Sequence, residues 1–150
     1  MLQTAGLFEV FSSANFWAEL NNTYENPLRA DPQWLCQLNL VFAIGMQLRR
    51  DELDPLSKEH GIITRLETDG VNRAESFYLA AKNLNDPAYG LEDGEFQAVQ
   101  SLLLMTIYML TAAKRNTAFA YLGKFINFSD AKYAMITPIP LMRSFLIFCL

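Results

Sequence analysis

The chain has 150 residues, a formal net charge of −4, and 51% hydrophobic against 19% charged residues. This length predicts a single domain that buries enough surface to fold without metal or disulfide support. The composition excludes a disordered chain. The acidic balance argues against direct binding of DNA or RNA, because a nucleic-acid-binding face is normally basic.

Cysteine and histidine are too scarce for a disulfide framework or a four-ligand zinc site. The chain has two cysteines, Cys36 and Cys149, and one histidine, His60. Its N-terminal segment lacks the basic residues of a secretory signal and is interrupted by the acidic residue Glu9. We therefore expect an intracellular protein with reduced thiols.

Helical signals dominate the first third of the chain. Apolar residues between positions 8 and 20 predict one or two short helices that end at Asn26-Pro27. Asp31-Pro32 is a typical helix start, with a side-chain acceptor at the cap and proline at the first helical position. Apolar residues then recur on one helical face over residues 34–45, and Arg49-Arg50 suit the C-terminal end of that helix.

The middle of the chain predicts a connector and a third helix. Residues 51–61 are charged, contain a proline and show no sustained periodicity, so we expect an exposed connector. A third helix is expected to start near Thr68-Asp69 and to stop at residues 85–87, which read Asn-Asp-Pro.

The strongest predicted helix covers residues 95–113, with Asp93 at its N-terminal cap. Its uncharged stretch is nearly long enough to span a membrane. Because it contains two glutamines, a serine and two threonines, we expect it to be the central helix of a globular core instead. A fifth helix is expected from Asn116-Thr117. No alternation of period two is visible, so the sequence predicts an all-α array of several helices around this central apolar helix.

Side chains with catalytic or metal-binding chemistry show no organised pattern. His60 has only Ser57 near it in sequence and no recognisable nucleophile setting, so a surface histidine is the expected interpretation. Cys36 lies on the apolar helix and is expected to be a packed thiol. Of the two acidic clusters, the second lacks the ligand spacing of a calcium loop, and we expect both to be solvated. The clusters are Asp51, Glu52 and Asp54, and Asp86, Glu92, Asp93 and Glu95. We predict no catalytic, cofactor-binding or metal-binding residues.

The amino-acid sequences of the predicted helices, and their order, resemble the fungal-specific transcription factor domain. This domain is the middle homology region of fungal binuclear zinc-cluster regulators. The resemblance covers residues 16–123 and is sharpest at residues 96–108, Phe-Gln-Ala-Val-Gln-Ser-Leu-Leu-Leu-Met-Thr-Ile-Tyr. The other matching segments are residues 16–20, 24–27, 34–45, 76–82 and 116–123.

This resemblance implies an all-helical, non-catalytic regulatory domain that acts in the nucleus. It also implies a small-molecule effector or a protein partner, with no membrane association. In the family an N-terminal six-cysteine zinc cluster reads DNA, and two cysteines leave no positions for that cluster here. We therefore expect no cofactor in this chain, and contact with DNA only through a zinc module that it lacks.

The end of the chain departs from the family pattern after Gly123. The alanine- and arginine-rich helix expected there is replaced by residues 124–150, an atypical tail. Gly-Lys-Phe at 123–125 can be encoded by a sequence that contains an intron start. We therefore divide the chain into a domain fragment, residues 1–123, and a tail that is translated intron or a wrongly assigned gene end. Loss of core helices would leave apolar faces uncovered, so we expect marginal stability and association with a partner.

Three other interpretations remain open at this point. The chain could be a helical protein-interaction or scaffold module unrelated to transcription. It could be a small enzyme with a hydrophobic pocket that uses His60, or a small membrane protein built on residues 96–113.

Overall fold

The computed structural model describes residues 12–48, 61–62, 65, 71–84 and 96–133. Within these ranges the chain forms five α-helices and one short 3-10 turn, residues 61, 62 and 65 are also helical, and no described residue lies in a strand. The predicted all-α fold is therefore confirmed.

The first two helices and the turn between them follow the sequence signals closely. Helix α1 spans Ser13–Glu25, the 3-10 turn spans Pro27–Arg29, and helix α2 spans Pro32–Leu48. The side chain of Asp31 accepts a hydrogen bond from the backbone N–H of Trp34 at 3.2 Å. This bond satisfies one of the unpaired N–H groups at the helix start, as predicted for an aspartate cap.

Helix α3 spans Arg73–Leu84 and starts later than the predicted position near Thr68-Asp69. The cap is Asn72, whose side-chain oxygen accepts the backbone N–H of Glu75 at 3.2 Å, and residues 71 and 72 are not helical. The predicted start was wrong because Asn72 is a suitable cap and the helix begins directly after it; residues 68 and 69 lie outside the described ranges.

The predicted connector over residues 51–61 ends in helical structure. Gly61, Ile62 and Arg65 are helical, which sequence reasoning missed. Residues 49–60, with His60 and the first acidic cluster, lie outside the described residues, as do residues 85–95 with the second cluster.

A tight turn joins α4, Phe96–Thr111, to α5, Arg115–Tyr133. The backbone N–H of Lys114 donates to the carbonyl of Met109 at 2.8 Å, and Ala113 adopts a positive φ of 56°. This is the Schellman arrangement that ends many helices. It usually places glycine at the left-handed position, and alanine there introduces strain of about 1 kcal/mol.

Helix α4 is the centre of the fold, as predicted. It packs against α2 on one side and α5 on the other, and α2 also packs against α3. Leu102 and Met105 are 0% exposed, and Thr106 is 1% exposed. The hydroxyl of Thr106 donates to the carbonyl of Leu102 at 2.9 Å, which satisfies a polar group inside an apolar core. A helix buried nearly all round has no free face for charge.

Helix α5 continues without interruption across the predicted boundary after Gly123 and ends at Tyr133. The division of the chain at residue 123 stays a prediction, and residues 134–150, with Cys149, lie outside the described ranges. In the part of the chain that is described, no helix combines the length and apolar character needed to cross a membrane.

Candidate functional site

Three tyrosines from three different helices meet inside the core. Tyr78 lies on α3, Tyr108 on α4 and Tyr121 on α5. The hydroxyl groups of Tyr78 and Tyr121 are 3.0 Å apart and share a hydrogen bond. The rings of Tyr78 and Tyr108 stack with centroids 4.6 Å apart and an interplanar angle of 11°. We call Tyr78, Tyr108 and Tyr121 the tyrosine cluster.

The surroundings of the tyrosine cluster keep the Tyr108 phenol neutral. Burial is the main cause that raises the pKa of Tyr108 above its ordinary value of 10.0, and the negative charge of Glu75 raises it further. A side-chain hydrogen bond with Gln47 acts in the opposite direction but does not reverse the shift. A phenol that holds its proton this firmly is a poor nucleophile and a poor general base at neutral pH.

The edge of the cluster carries an exposed ion pair between α3 and the turn before α5. The ammonium group of Lys114 lies 3.5 Å from a carboxylate oxygen of Glu75, and both side chains are about half exposed. Exposed pairs of this kind contribute little to stability, whereas the hydroxyl pair of Tyr78 and Tyr121 is a buried contact between α3 and α5.

A second polar feature is a groove of about 350 Å³ between α1 and residues 29–31, which lead into α2. One of its lining residues, Thr23, accepts a hydrogen bond from the indole N–H of Trp34 at 2.8 Å and donates to the carbonyl of Glu19 at 2.8 Å. The ring of Phe16 meets the ring of Trp34 edge-on at 5.3 Å. The lining residues are Glu19, Asn22, Thr23, Asn26, Arg29, Ala30 and Asp31. We call this feature the α1–α2 groove.

The α1–α2 groove holds charges of both signs. Arg29 shares it with the carboxylates of Glu19 and Asp31, and no ion pair joins these three side chains in the described structure. Only Asp31 has an intramolecular role, because one of its oxygens caps α2. The charged ends of Glu19 and Arg29 are therefore open to solvent.

The sequence-based expectations for individual residues have different outcomes. Cys36 is buried at 1% exposure in the α2–α4 region of the core, which confirms the packed thiol. His60 and Cys149 lie outside the described residues. Within the described ranges, no three His, Cys, Asp or Glu side chains are grouped so that they could hold a metal ion.

Sequence reasoning missed both polar features. No role was predicted from the sequence for Tyr78, Tyr108 or Tyr121. The available signal was that each occupies the inward face of a predicted helix, where a buried phenol needs a partner. The α1–α2 groove had no sequence signal, since its lining residues look like ordinary helix-end and turn residues.

These features define a class: a helical domain with a densely packed centre, one buried phenol cluster and an open polar groove at its edge. Comparison with known families identifies it further. The family model for the fungal-specific transcription factor domain matches residues 3–131, and the chain belongs to this family. The match contains residues 16–123, over which the resemblance was recognised, and continues beyond the predicted boundary. No curated protein and no solved structure matches the chain.

Membership of this family places the chain among the regulatory regions of fungal transcription factors. The family is non-catalytic, and transcription factor domains in general act in the nucleus.

Proposed function

We propose that this chain is the regulatory region of a fungal zinc-cluster transcription regulator. In this proposal it acts in the nucleus, performs no catalysis, and adjusts transcription in response to a small-molecule effector or a protein partner. The observation that carries the proposal is the family match over residues 3–131 of an all-helical chain.

Charge and cysteine content support the assignment of DNA contact to another module. The net charge of −4 would repel the phosphate backbone, and two cysteines cannot supply the six thiolates of a binuclear cluster. Cys36 is, in addition, enclosed in the core. Zinc and base recognition therefore belong to a cysteine-rich module outside these 150 residues.

The tyrosine cluster is not arranged as a nucleophilic site. Burial keeps Tyr108 protonated, and the hydroxyls of Tyr78 and Tyr121 are engaged with each other in the buried core. Neither arrangement presents an activated nucleophile to a substrate.

The proposal is tested by fusing the chain to an unrelated DNA-binding domain and measuring transcription of a reporter in a fungal cell. We expect the fusion to change reporter output severalfold, in either direction, relative to the DNA-binding domain alone. A matched pair of variants separates a folded regulatory domain from a nonspecific acidic segment. Leu102→Asp places a charge in the core and should abolish the effect, whereas Leu79→Asp changes a side chain that is 52% exposed and should not.

Two results would overturn the proposal. One is an unchanged reporter when the fusion is folded and present in the nucleus. The other is retention of the isolated chain on duplex DNA at physiological salt, which would show direct DNA binding without a zinc module.

A further inference from the structure

We propose that the α1–α2 groove binds the zwitterionic backbone of a free α-amino acid. That binding at this site regulates transcription rests on the proposed function, but the binding itself does not. In the complex, Arg29 holds the ligand carboxylate, and the carboxylates of Glu19 and Asp31 face its ammonium group.

The first support is the fixed position of Thr23 in the groove lining. Trp34 is 7% exposed, and its indole N–H reaches across from α2 to Thr23 of α1 at 2.8 Å. The edge-on contact between Phe16 and Trp34 holds the same two helices together. The walls are therefore positioned without a ligand, which lowers the entropic cost of binding.

The second support is the distribution of charge. Glu19 and Asp31 carry negative charge and Arg29 carries positive charge, yet the three line one groove without forming an ion pair. A ligand with a single charge would satisfy one sign and lie close to the other. A dipolar ligand satisfies both, because guanidinium groups bind carboxylates in bidentate fashion and carboxylates accept from ammonium groups.

The third support concerns size and polarity. A volume of about 350 Å³ lies at the small end of ligand sites, which suits a metabolite of amino-acid size. Asn22 and Asn26 add carboxamides to the lining, and each can both donate and accept hydrogen bonds. The lining is too polar for an apolar effector.

The two tryptophans provide a direct test by NMR. Neither lines the groove, but the indole N–H of Trp34 donates to Thr23, which does, whereas Trp17 is 59% exposed and its signal is an internal reference. Each ordinary L-amino acid is titrated singly into the full chain at constant ionic strength. We expect at least one to shift the Trp34 signal, but not the Trp17 signal, with a Kd on the order of 1 mM.

Matched ligands and variants test the dipolar contact. The corresponding amine without the carboxylate, and the N-acetylated acid without the ammonium group, should each bind about tenfold more weakly. Arg29→Gln and Glu19→Gln should weaken binding of the amino acid by a similar factor. Arg115→Gln and Glu25→Gln, which remove the same charges from exposed positions outside the groove, should not.

The proposal is overturned if no amino acid gives a saturable Trp34 shift up to about 50 mM. Equal binding by the single-charge analogues, or equal weakening by the control variants, would also overturn it. If the reporter fusion is active but no amino acid binds, the amino-acid site is contradicted and the proposed function stands. If an amino acid binds but the reporter fusion has no effect, the proposed function is contradicted and the amino-acid site stands.

Discussion

The buried hydroxyl pair of Tyr78 and Tyr121 gives a prediction whose size follows from the structure. Tyr78→Phe removes one hydroxyl and leaves that of Tyr121 without its 3.0 Å partner, at a position only 8% exposed. The lost hydrogen bond contributes about 1 kcal/mol, and an unsatisfied buried hydroxyl adds roughly the same again. We expect Tyr78→Phe to lower the free energy of unfolding by about 2 kcal/mol, with the Tyr78–Tyr108 stacking retained.

Urea denaturation monitored by circular dichroism measures this loss, and a double-mutant cycle isolates the hydroxyl contact. The variant Tyr78→Phe/Tyr121→Phe removes both hydroxyls and leaves none unpaired. It should therefore be less destabilised than the sum of its single variants, by at least about 2 kcal/mol, because that sum counts the lost hydrogen bond twice and includes the unpaired Tyr121 hydroxyl of Tyr78→Phe. Tyr24→Phe is the matched control, because Tyr24 is 77% exposed and its hydroxyl donates no described hydrogen bond. Its effect should stay below about 0.5 kcal/mol.

The reasoning is refuted if Tyr78→Phe and Tyr24→Phe have the same effect. It is also refuted if the single-variant losses simply add in the double variant. Either result would mean that the hydroxyl contact contributes no more than the exposed surface does.

Three further predictions concern the turn, the core and the phenol. Ala113→Gly should raise stability by about 0.5–1 kcal/mol, measured as a higher Tm, since φ is 56° at this position; a lower Tm would contradict the strain. Leu102 is 0% exposed, so Leu102→Ala should lower the free energy of unfolding, measured in urea, by about 2–5 kcal/mol. Leu79→Ala, at an exposed position, should change it by less than about 0.5 kcal/mol. Equal losses of stability in the two variants would contradict the placement of α4 at the centre of the core. The raised pKa of Tyr108 means that the folded state holds this proton more tightly than the unfolded state, so its contribution to stability is complete below about pH 10 and is lost as pH rises through the folded-state pKa. Tyr108→Phe should flatten the fall in urea midpoint across that alkaline range, and an equally steep fall in the variant would contradict the assignment.

Much of the helical framework was predictable because its signals are local. The Asp31-Pro32 start of α2 depends on one cap and one fixed φ angle, both of which are read directly from the sequence. The central position of α4 followed from its lack of charge, since a buried helix has no face for charged residues. The predicted start of α3 was wrong because Asn72 is also a suitable cap, and the helix begins directly after it.

The candidate sites were not predictable because they depend on contacts between distant residues. Tyr78 and Tyr121 are 43 positions apart, and their 3.0 Å contact requires the relative placement of α3 and α5. Gln37 shows the same limit: its side-chain amide donates to the carbonyl of Gln97, 60 positions away, at 3.0 Å. Periodicity identifies the face on which such residues lie, but it does not identify the partner on another helix.

The two polar features differ in how much free energy is needed to alter them, and this determines which of them a weak effector can influence. A ligand present at ten times its Kd stabilises the bound state by about 1.4 kcal/mol. The link between α1 and α2 includes the Trp34–Thr23 hydrogen bond, which contributes about 1 kcal/mol, and an edge-on ring contact of similar size. The centre around α4 instead buries several large side chains, each of which contributes about 1.5–3 kcal/mol. An amino acid bound in the α1–α2 groove would therefore stabilise the packed position of α1, while the α2–α5 core and its tyrosine cluster stay unaffected.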